Sequence, residues 1–327
     1  MSAYPMTLYG LREPQPGPRW RQLFELTWPA YRRWYLSEGR DRRPSPVTAG
    51  AALSRHLPEL LPAWARLAEQ TGFDDDAIAL LTHWNLPAFA PAAACSQAVT
   101  TADGPALVRN YDYRPDLFEC VSLSTDYLQP VIGTSDCLWG LLDGVNGSGL
   151  VVSLTFGGET AVGEGFAIPL VVRYLLEVCS TVAQAVEQLR RIPISMSYNI
   201  TMVDATGDHG TAHVGPDRAC EFQRQPLATN HRWQQPVDPA HARNYQSVER
   251  FDRLAGLLGT GSTVDRVAAA MLEPPLHTRA YHRGFGTLYT AVYRAEPGSV
   301  TYRWPGTAWH RTFDSPDDTV RVVLTDA

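Results

Sequence analysis

Cys95 opens a stretch, CSQAVTTADGPALVRNYDY through Tyr113, in which a thiol, a guanidinium and a carboxylate recur at hairpin spacing. A strand-like alternation follows the cysteine, Asp103-Gly104-Pro105 makes a turn, and a second apolar run ends in Arg109-Asn110-Tyr111-Asp112. Closing that hairpin brings Arg109 and Asp112 back beside Cys95. Such a trio suits nucleophilic attack on a carbonyl, because the thiolate is the reactive form and a fixed positive charge favours it. Bland readings stand beside this one. A lone cysteine is often only a small buried hydrophobe, and Arg109 and Asp112 could pair with each other for structure.

The elements that must position these residues fall into two textures. Before Cys95 the pattern is mostly helical. Trp20, Phe24, Trp28, Tyr31 and Tyr35 sit near helical spacing in an expected helix over 19–36, and Leu57 to Ala68 carry a second apolar stripe. A third helix is expected from the Asp74-Asp75-Asp76 cluster, and Pro87 to Ala94 reads as an exposed linker. After Cys95 the pattern is extended: 118–127, 129–142, a turn over 144–149, and a buried strand over 150–156. Helices are expected over 169–178 and from a Thr181 N-cap to Arg191. Strands return at 198–203 and near Thr211 and Cys220, a helix over 247–258 follows, and a hairpin turns at Glu296-Pro297-Gly298. Strands, two helices, then strands again fit sheet packed on sheet with helices outside.

Composition narrows the function classes. The 327 residues include 44% hydrophobic and 19% charged side chains, as in a globular protein with a sizeable core. A formal charge of −6 argues against nucleic acid or anionic membrane as partner. All 28 basic residues are arginine, which removes any lysine nucleophile or Schiff base. The five cysteines, Cys95, Cys120, Cys137, Cys179 and Cys220, are odd in number and irregularly spaced, which favours a reducing compartment. The N-terminus lacks the apolar core of a secretory signal, and no run is long enough to span a membrane. A cytoplasmic protein is expected, and a homo-oligomer is compatible with it. His209 and His213 have the spacing of a helical metal pair but sit in a turn-and-strand context, so no metal is expected.

The order Cys95, short hairpin, Arg109-Asn110-Tyr111-Asp112 resembles the start of the mature chain in cysteine N-terminal-nucleophile (Ntn) hydrolases, in particular the isopenicillin-N acyltransferase family and the related choloylglycine hydrolases. Asp143-Gly-Val-Asn146-Gly-Ser-Gly149-Leu, Thr229-Asn230 and Ser247-Val-Glu-Arg250-Phe251 resemble further family elements in the family's order. The resemblance implies an α+β fold, the four-layer αββα Ntn sandwich. It also implies a helical pro-segment, residues 1–94, cut from a catalytic domain, residues 95–327, between Ala94 and Cys95. The two pieces would stay associated. Cutting there would give one residue both a thiol of pKa about 8.5 and an α-amine base of about 7.7–8.0. The thiol would attack a small amide or thioester, form an acyl-thioester, and pass the acyl group to water or to an amine. No cofactor is implied.

By the same resemblance Asp112 orients the α-ammonium, Asn230 donates to the oxyanion and Arg250 is a further active-site arginine. Asn146 and Thr155 are weaker candidates, because Leu154-Thr155-Phe156 stands where the hydrolases have Leu-Asn-Phe and a second site asparagine is missing. Taken without the resemblance, Asn230 is a turn residue and Arg250 a solvated helix residue. Two other functions remain open on the residues. One is a papain-like Cys95–His231 hydrolase, since 136 positions separate the pair; the other is a non-catalytic binding protein of the same fold.

Overall fold

The computed structural model describes residues 3–89, 94–232, 245–259 and 261–326. The segment before Cys95 gives strand β1 (Ala3–Arg12) and helices α1 (Pro18–Tyr35), α2 (Pro46–His56), α3 (Leu61–Gln70) and α4 (Asp75–Leu81). Then come β2 (Ser96–Thr100), β3 (Ala106–Tyr113), β4 (Val121–Asp126), β5 (Pro130–Asp136), β6 (Gly140–Asn146) and β7 (Val151–Phe156). Helices α5 (Ile168–Val178) and α6 (Val182–Arg191) precede β8 (Tyr198–Val203), β9 (His209–Gly215), β10 (Arg218–Gln223) and β11 (Leu227–Ala228). Helices α7 (Ser247–Leu258) and α8 (Val264–Met271) lead to β12 (Arg279–Ala280), β13 (Phe285–Arg294), β14 (Ser299–Trp304), β15 (Thr307–Thr312) and β16 (Asp318–Thr325).

The strands form two sheets. One runs β10-β9-β8-β7-β6-β5-β4-β1-β16, the other β11-β2-β3-β13-β14-β15 with β12 paired to β13. They face each other through β2, β3, β13 and β14 on one side and β5 to β8 on the other. Helices α5 and α6 pack on the first sheet, α7 and α8 on the second. The fold is α+β, and these contacts give the order helix, sheet, sheet, helix. β2 and β8 are buried along their whole length because a sheet covers one face and other elements the other.

Local chemistry explains most of the element ends. Asp74 and Thr181 each accept a backbone N–H of the first turn, capping α4 and α6. Two expectations need correction. The segment before Cys95 is not simply helical: β1 lies between β4, in parallel, and β16, antiparallel. Its Met6, Leu8 and Gly10 alternate inward, a period of two that the helical stripes downstream overshadowed. The extended run over 129–142 is two strands, β5 and β6, joined by a turn at Cys137 to Trp139, and the next turn falls at Gly147-Ser148. The expected linker is only partly described. Pro87 and Ala94 are buried, and residues 90–93 lie outside the described residues. No helix among the described residues is long and apolar enough to cross a membrane.

Candidate active site

The expected β2–β3 hairpin forms, with Gln97 opposite Arg109 and Ser96 opposite Asn110. Cys95 stands just before β2, buried, beside the Arg109 guanidinium and the backbone of Asp112. Arg109 Nη2 donates to Cys95 Sγ at 3.5 Å, and Sγ lies 3.9 Å from the Asp112 carbonyl. Arg109 and Asp112 do not pair. Three positions apart on a strand, they project to opposite faces: Arg109 between the sheets, Asp112 towards Thr278 and Thr287.

The partner of Arg109 is Asp143 on β6, which the sequence reading missed. Arg109 Nη1 contacts Asp143 Oδ2 at 2.7 Å and the Leu142 carbonyl at 3.1 Å, with both charged side chains fully buried. The hydroxyls of Tyr289 (2.6 Å) and Tyr293 donate to Asp143. Burial opposes the Arg109 charge, but Tyr289, Asp143 and Cys95 outweigh it and raise its pKa.

Asp112 is the opposite case. Among the described residues neither carboxylate oxygen, both buried, has a well-formed hydrogen bond. Burial pushes its pKa up from 3.8 to about 6, although Arg250, Thr287 and Thr278 favour the charged form. Burial also pushes the Cys95 thiol up, against the pull of Arg109, and the Asp112 charge adds to that rise. Arg109 favours the thiolate, as expected, but burial outweighs it here.

Arg250, on α7, is fully buried rather than solvated. Its Nη1 donates to the carbonyls of Ala94 (2.5 Å) and Cys95 (2.7 Å) and to Ser96 Oγ (2.8 Å); its Nη2 donates to Asn230 Oδ1 at 3.0 Å. Asn230 is placed by a small loop. Its N–H donates to Ser247 Oγ at 2.9 Å, and its Nδ2 lies 3.4 Å from the Phe156 carbonyl.

The weaker candidates turn out to be structural. Asn146 spends its whole amide locally: Nδ2 on the carbonyls of Leu176 and Cys179, Oδ1 on the N–H groups of Ser148 and Leu150. It holds the β6–β7 turn against the end of α5 and is not a site donor. Thr155 Oγ1 donates to the Thr229 carbonyl at 2.7 Å, so it positions the loop that carries Asn230. Asn199, paired with Thr155 across β7 and β8, does the same, bonding the carbonyls of Thr229 (2.8 Å) and His231 (3.0 Å). This second asparagine was missed because it comes from the neighbouring strand. His231 bonds Ser247 Oγ through Nδ1 at 2.8 Å and packs its ring on Phe251. Among the described residues the Cys95 thiol bonds Arg109 Nη2 and the Asp112 carbonyl, and no Cys95–His231 hydrogen bond of the papain-like alternative is formed.

Gly158 lets the β7 end approach this loop. It has φ of +85°, and a Cβ there would lie 2.8 Å from the Asn230 carbonyl oxygen. Gly158→Ala is expected to cost about 1–2 kcal/mol in left-handed strain alone, plus the displacement of Asn230. Thermal denaturation beside wild type checks it; an unchanged midpoint would contradict the close approach.

Cys95 lines a cavity of about 660 Å³ walled by residues from both sides of the Ala94–Cys95 bond, among them Leu26, Tyr31 and Trp34 of α1 and Leu154, Phe156 and Tyr198.

The family profile of acyl-coenzyme A:6-aminopenicillanic acid acyl-transferase matches residues 99–309, which takes in Arg109, Asp112, Asn230 and Arg250 and begins just past Cys95. Similar solved structures include a mutant of conjugated bile acid hydrolase from Clostridium perfringens, at 14% identity and TM-score 0.41, covering 72% of this chain and 98% of that one. Penicillin V acylase from Agrobacterium tumefaciens is similar at 13% identity and TM-score 0.40, covering 66% and 84%. The Caenorhabditis elegans ortholog of N-acylethanolamine-hydrolyzing acid amidase is similar at 15% identity and TM-score 0.45, covering 62% and 92%. No curated protein sequence matches. The profile spans more than half of the chain, and the chain belongs to the acyl-coenzyme A:6-aminopenicillanic acid acyl-transferase family.

Proposed function

We propose that this chain is a self-processing N-terminal-cysteine amide hydrolase or acyltransferase, cut between Ala94 and Cys95. The observation that carries this reading is the grip of Arg250 on the Ala94 and Cys95 carbonyls beside the Cys95 thiol. Attack of Sγ on the Ala94 carbonyl carbon would place negative charge on the oxygen that Arg250 already holds. The C–N bond then breaks, the thiol proton ends on the Cys95 nitrogen, and water hydrolyses the resulting thioester to leave the Ala94 carboxylate and a free Cys95.

The buried Asp112 carboxylate supports the same sequence of events. Burial disfavours its charge more than Arg250, Thr287 and Thr278 favour it, and a new α-ammonium on Cys95 would add a cation beside it. Cutting also supplies the base that the uncut thiol lacks. The amine would then take the thiol proton during attack on a small amide or thioester. The acyl group would leave to water or to a second amine. Asn230 and the Arg250 guanidinium are the oxyanion donors of this reading, and the thiolate is favoured by Arg109. The insertion of β1 between β4 and β16 supports an N-terminal piece that stays bound after the cut.

The experiment is thiol-specific labelling with an electrophile, followed by peptide mapping and by mass measurement after exposure to a panel of amides and thioesters. Cys95 is expected to label fastest of the five cysteines and to carry the acyl adduct. Labelling no faster than Cys120, with no adduct, would overturn the proposal.

A pH effect follows from Asp112 in the uncut chain. Its folded pKa of about 6 lies above the ordinary 3.8, so the folded state holds a proton that the unfolded state releases. Stability should therefore fall as pH rises from about 4 through 6. In a Cys95→Ala background, which keeps the chain uncut, Asp112→Asn is expected to add about 2–3 kcal/mol at pH 7.5. Urea denaturation at pH 4 and 7.5 checks this, and equal midpoints for the two chains at pH 7.5 would contradict it.

A further inference from the structure

The cavity that opens on Cys95 has a chemical bias beyond its size. Aromatic rings make much of its wall: Tyr31 and Trp34 from α1, Tyr111 and Tyr113 from β3, Phe118, and Tyr198 from β8. Its charged side chains are all acidic. They are Glu38, Asp116, Glu119 and Asp136, and among the described residues no arginine or histidine lines the cavity.

Three of these acids are already engaged. Arg43 pairs with Glu38, and Arg114 pairs with Asp116 at 2.7 Å. Glu119 accepts from the Tyr31 hydroxyl, from Ser135 Oγ at 2.7 Å and from the Leu138 N–H at 2.7 Å. Asp136, at the end of β5 and open to the cavity, meets no cation among the described residues. The charge that acts on it is that of Glu119, and with burial this holds its carboxyl well above the usual carboxylate range. Tyr111, Tyr113 and Tyr198 all feel the Asp136 charge, so carboxylate and rings border the same space.

Each feature selects a ligand property. Apolar aromatic walls bury an apolar body, ring faces attract a cation, and a carboxyl whose ionisation Glu119 and burial oppose becomes charged when a cation binds beside it, releasing its proton to solvent. An anionic group would face Asp136 and Glu119 with no counter-charge on the cavity wall.

We propose that this cavity holds a substrate portion made of an aromatic-sized apolar body and a protonated amine, and that Asp136 is the residue that selects the amine. Its status as a substrate pocket rests on Cys95 being the nucleophile proposed above. The ligand preference itself does not.

The test uses the full chain carrying Cys95→Ala, which neither cuts nor acylates, and titrates it at pH 7.5 with 4-phenylbutylammonium, 4-phenylbutanol and 4-phenylbutanoate. The ammonium is expected to bind most tightly, by about tenfold over the alcohol, with the carboxylate weakest. Adding Asp136→Asn is expected to weaken the ammonium about tenfold and to leave the alcohol within about twofold. Equal binding of the three probes, tighter binding of the carboxylate, or no binding of any at millimolar concentration would overturn the proposal. So would an Asp136→Asn chain, folded by circular dichroism, that binds all three as before. The ligand order in the unsubstituted cavity stands without that variant. Failure of the nucleophile reading shows separately, as slow labelling of Cys95 in the wild-type chain.

Discussion

Arg250→Met is expected to slow cutting at Ala94–Cys95 by about 10²–10³-fold, the size of effect that follows loss of a preorganised oxyanion donor. Methionine keeps most of the aliphatic volume of the arginine stem, so the comparison isolates the guanidinium. That group holds the Ala94 and Cys95 carbonyls, Ser96 Oγ and Asn230 Oδ1 from one fully buried position. Arg250→Lys should restore only part of the rate, because an ammonium offers a single point charge rather than a planar fork. The fraction of intact chain over time after refolding, read by denaturing mass spectrometry, measures both. Cutting of Arg250→Met at the wild-type rate would contradict the role given to this residue.

Asp143→Ala is expected to destabilise the protein by about 3–5 kcal/mol, the cost of leaving a buried charge without its partner. The Arg109 guanidinium would keep the Leu142 carbonyl and its contact with the Tyr111 ring, 5.1 Å from the centroid, but lose the carboxylate. The hydroxyls of Tyr289 and Tyr293 would lose their acceptor as well. A double change, Arg109→Met with Asp143→Leu, should regain much of that stability, since well-packed apolar side chains often replace a buried ion pair at little cost. It should not regain the site, because Cys95 Sγ then loses the Arg109 guanidinium that donates to it. Urea midpoints of the three chains check this. A loss below about 1 kcal/mol for Asp143→Ala would mean that the pair is not the anchor of Arg109.

The local features of the site were legible in the sequence, and the non-local ones were not. The turn at Asp103-Gly104-Pro105 fixed the hairpin, and with it the approach of Arg109 and Asp112 to Cys95. Even there, the period of two along β3 meant that the two side chains leave on opposite faces, which a reading by proximity overlooked. Asp143 could not be paired with Arg109 from sequence, because the contact crosses from one sheet to the other over 34 positions. β1 was hidden for a similar reason, since its partner β16 is at the far end of the chain. Asn146 misled for a local reason: an asparagine in a glycine-rich turn readily satisfies its own backbone. Asn199 carries no motif at all, and its part in holding the Asn230 loop comes only from lying opposite Thr155.

The most direct measurement is the intact mass, under denaturing conditions, of the wild-type chain and of Cys95→Ala. Scaling the 36.2 kDa chain by residues 1–94 and 95–327 gives pieces of about 10 and 26 kDa. Self-processing predicts those two masses from wild type and a single 36.2 kDa species from Cys95→Ala. A folded wild-type chain that stays whole, or a Cys95→Ala chain that splits at the same bond, would contradict it.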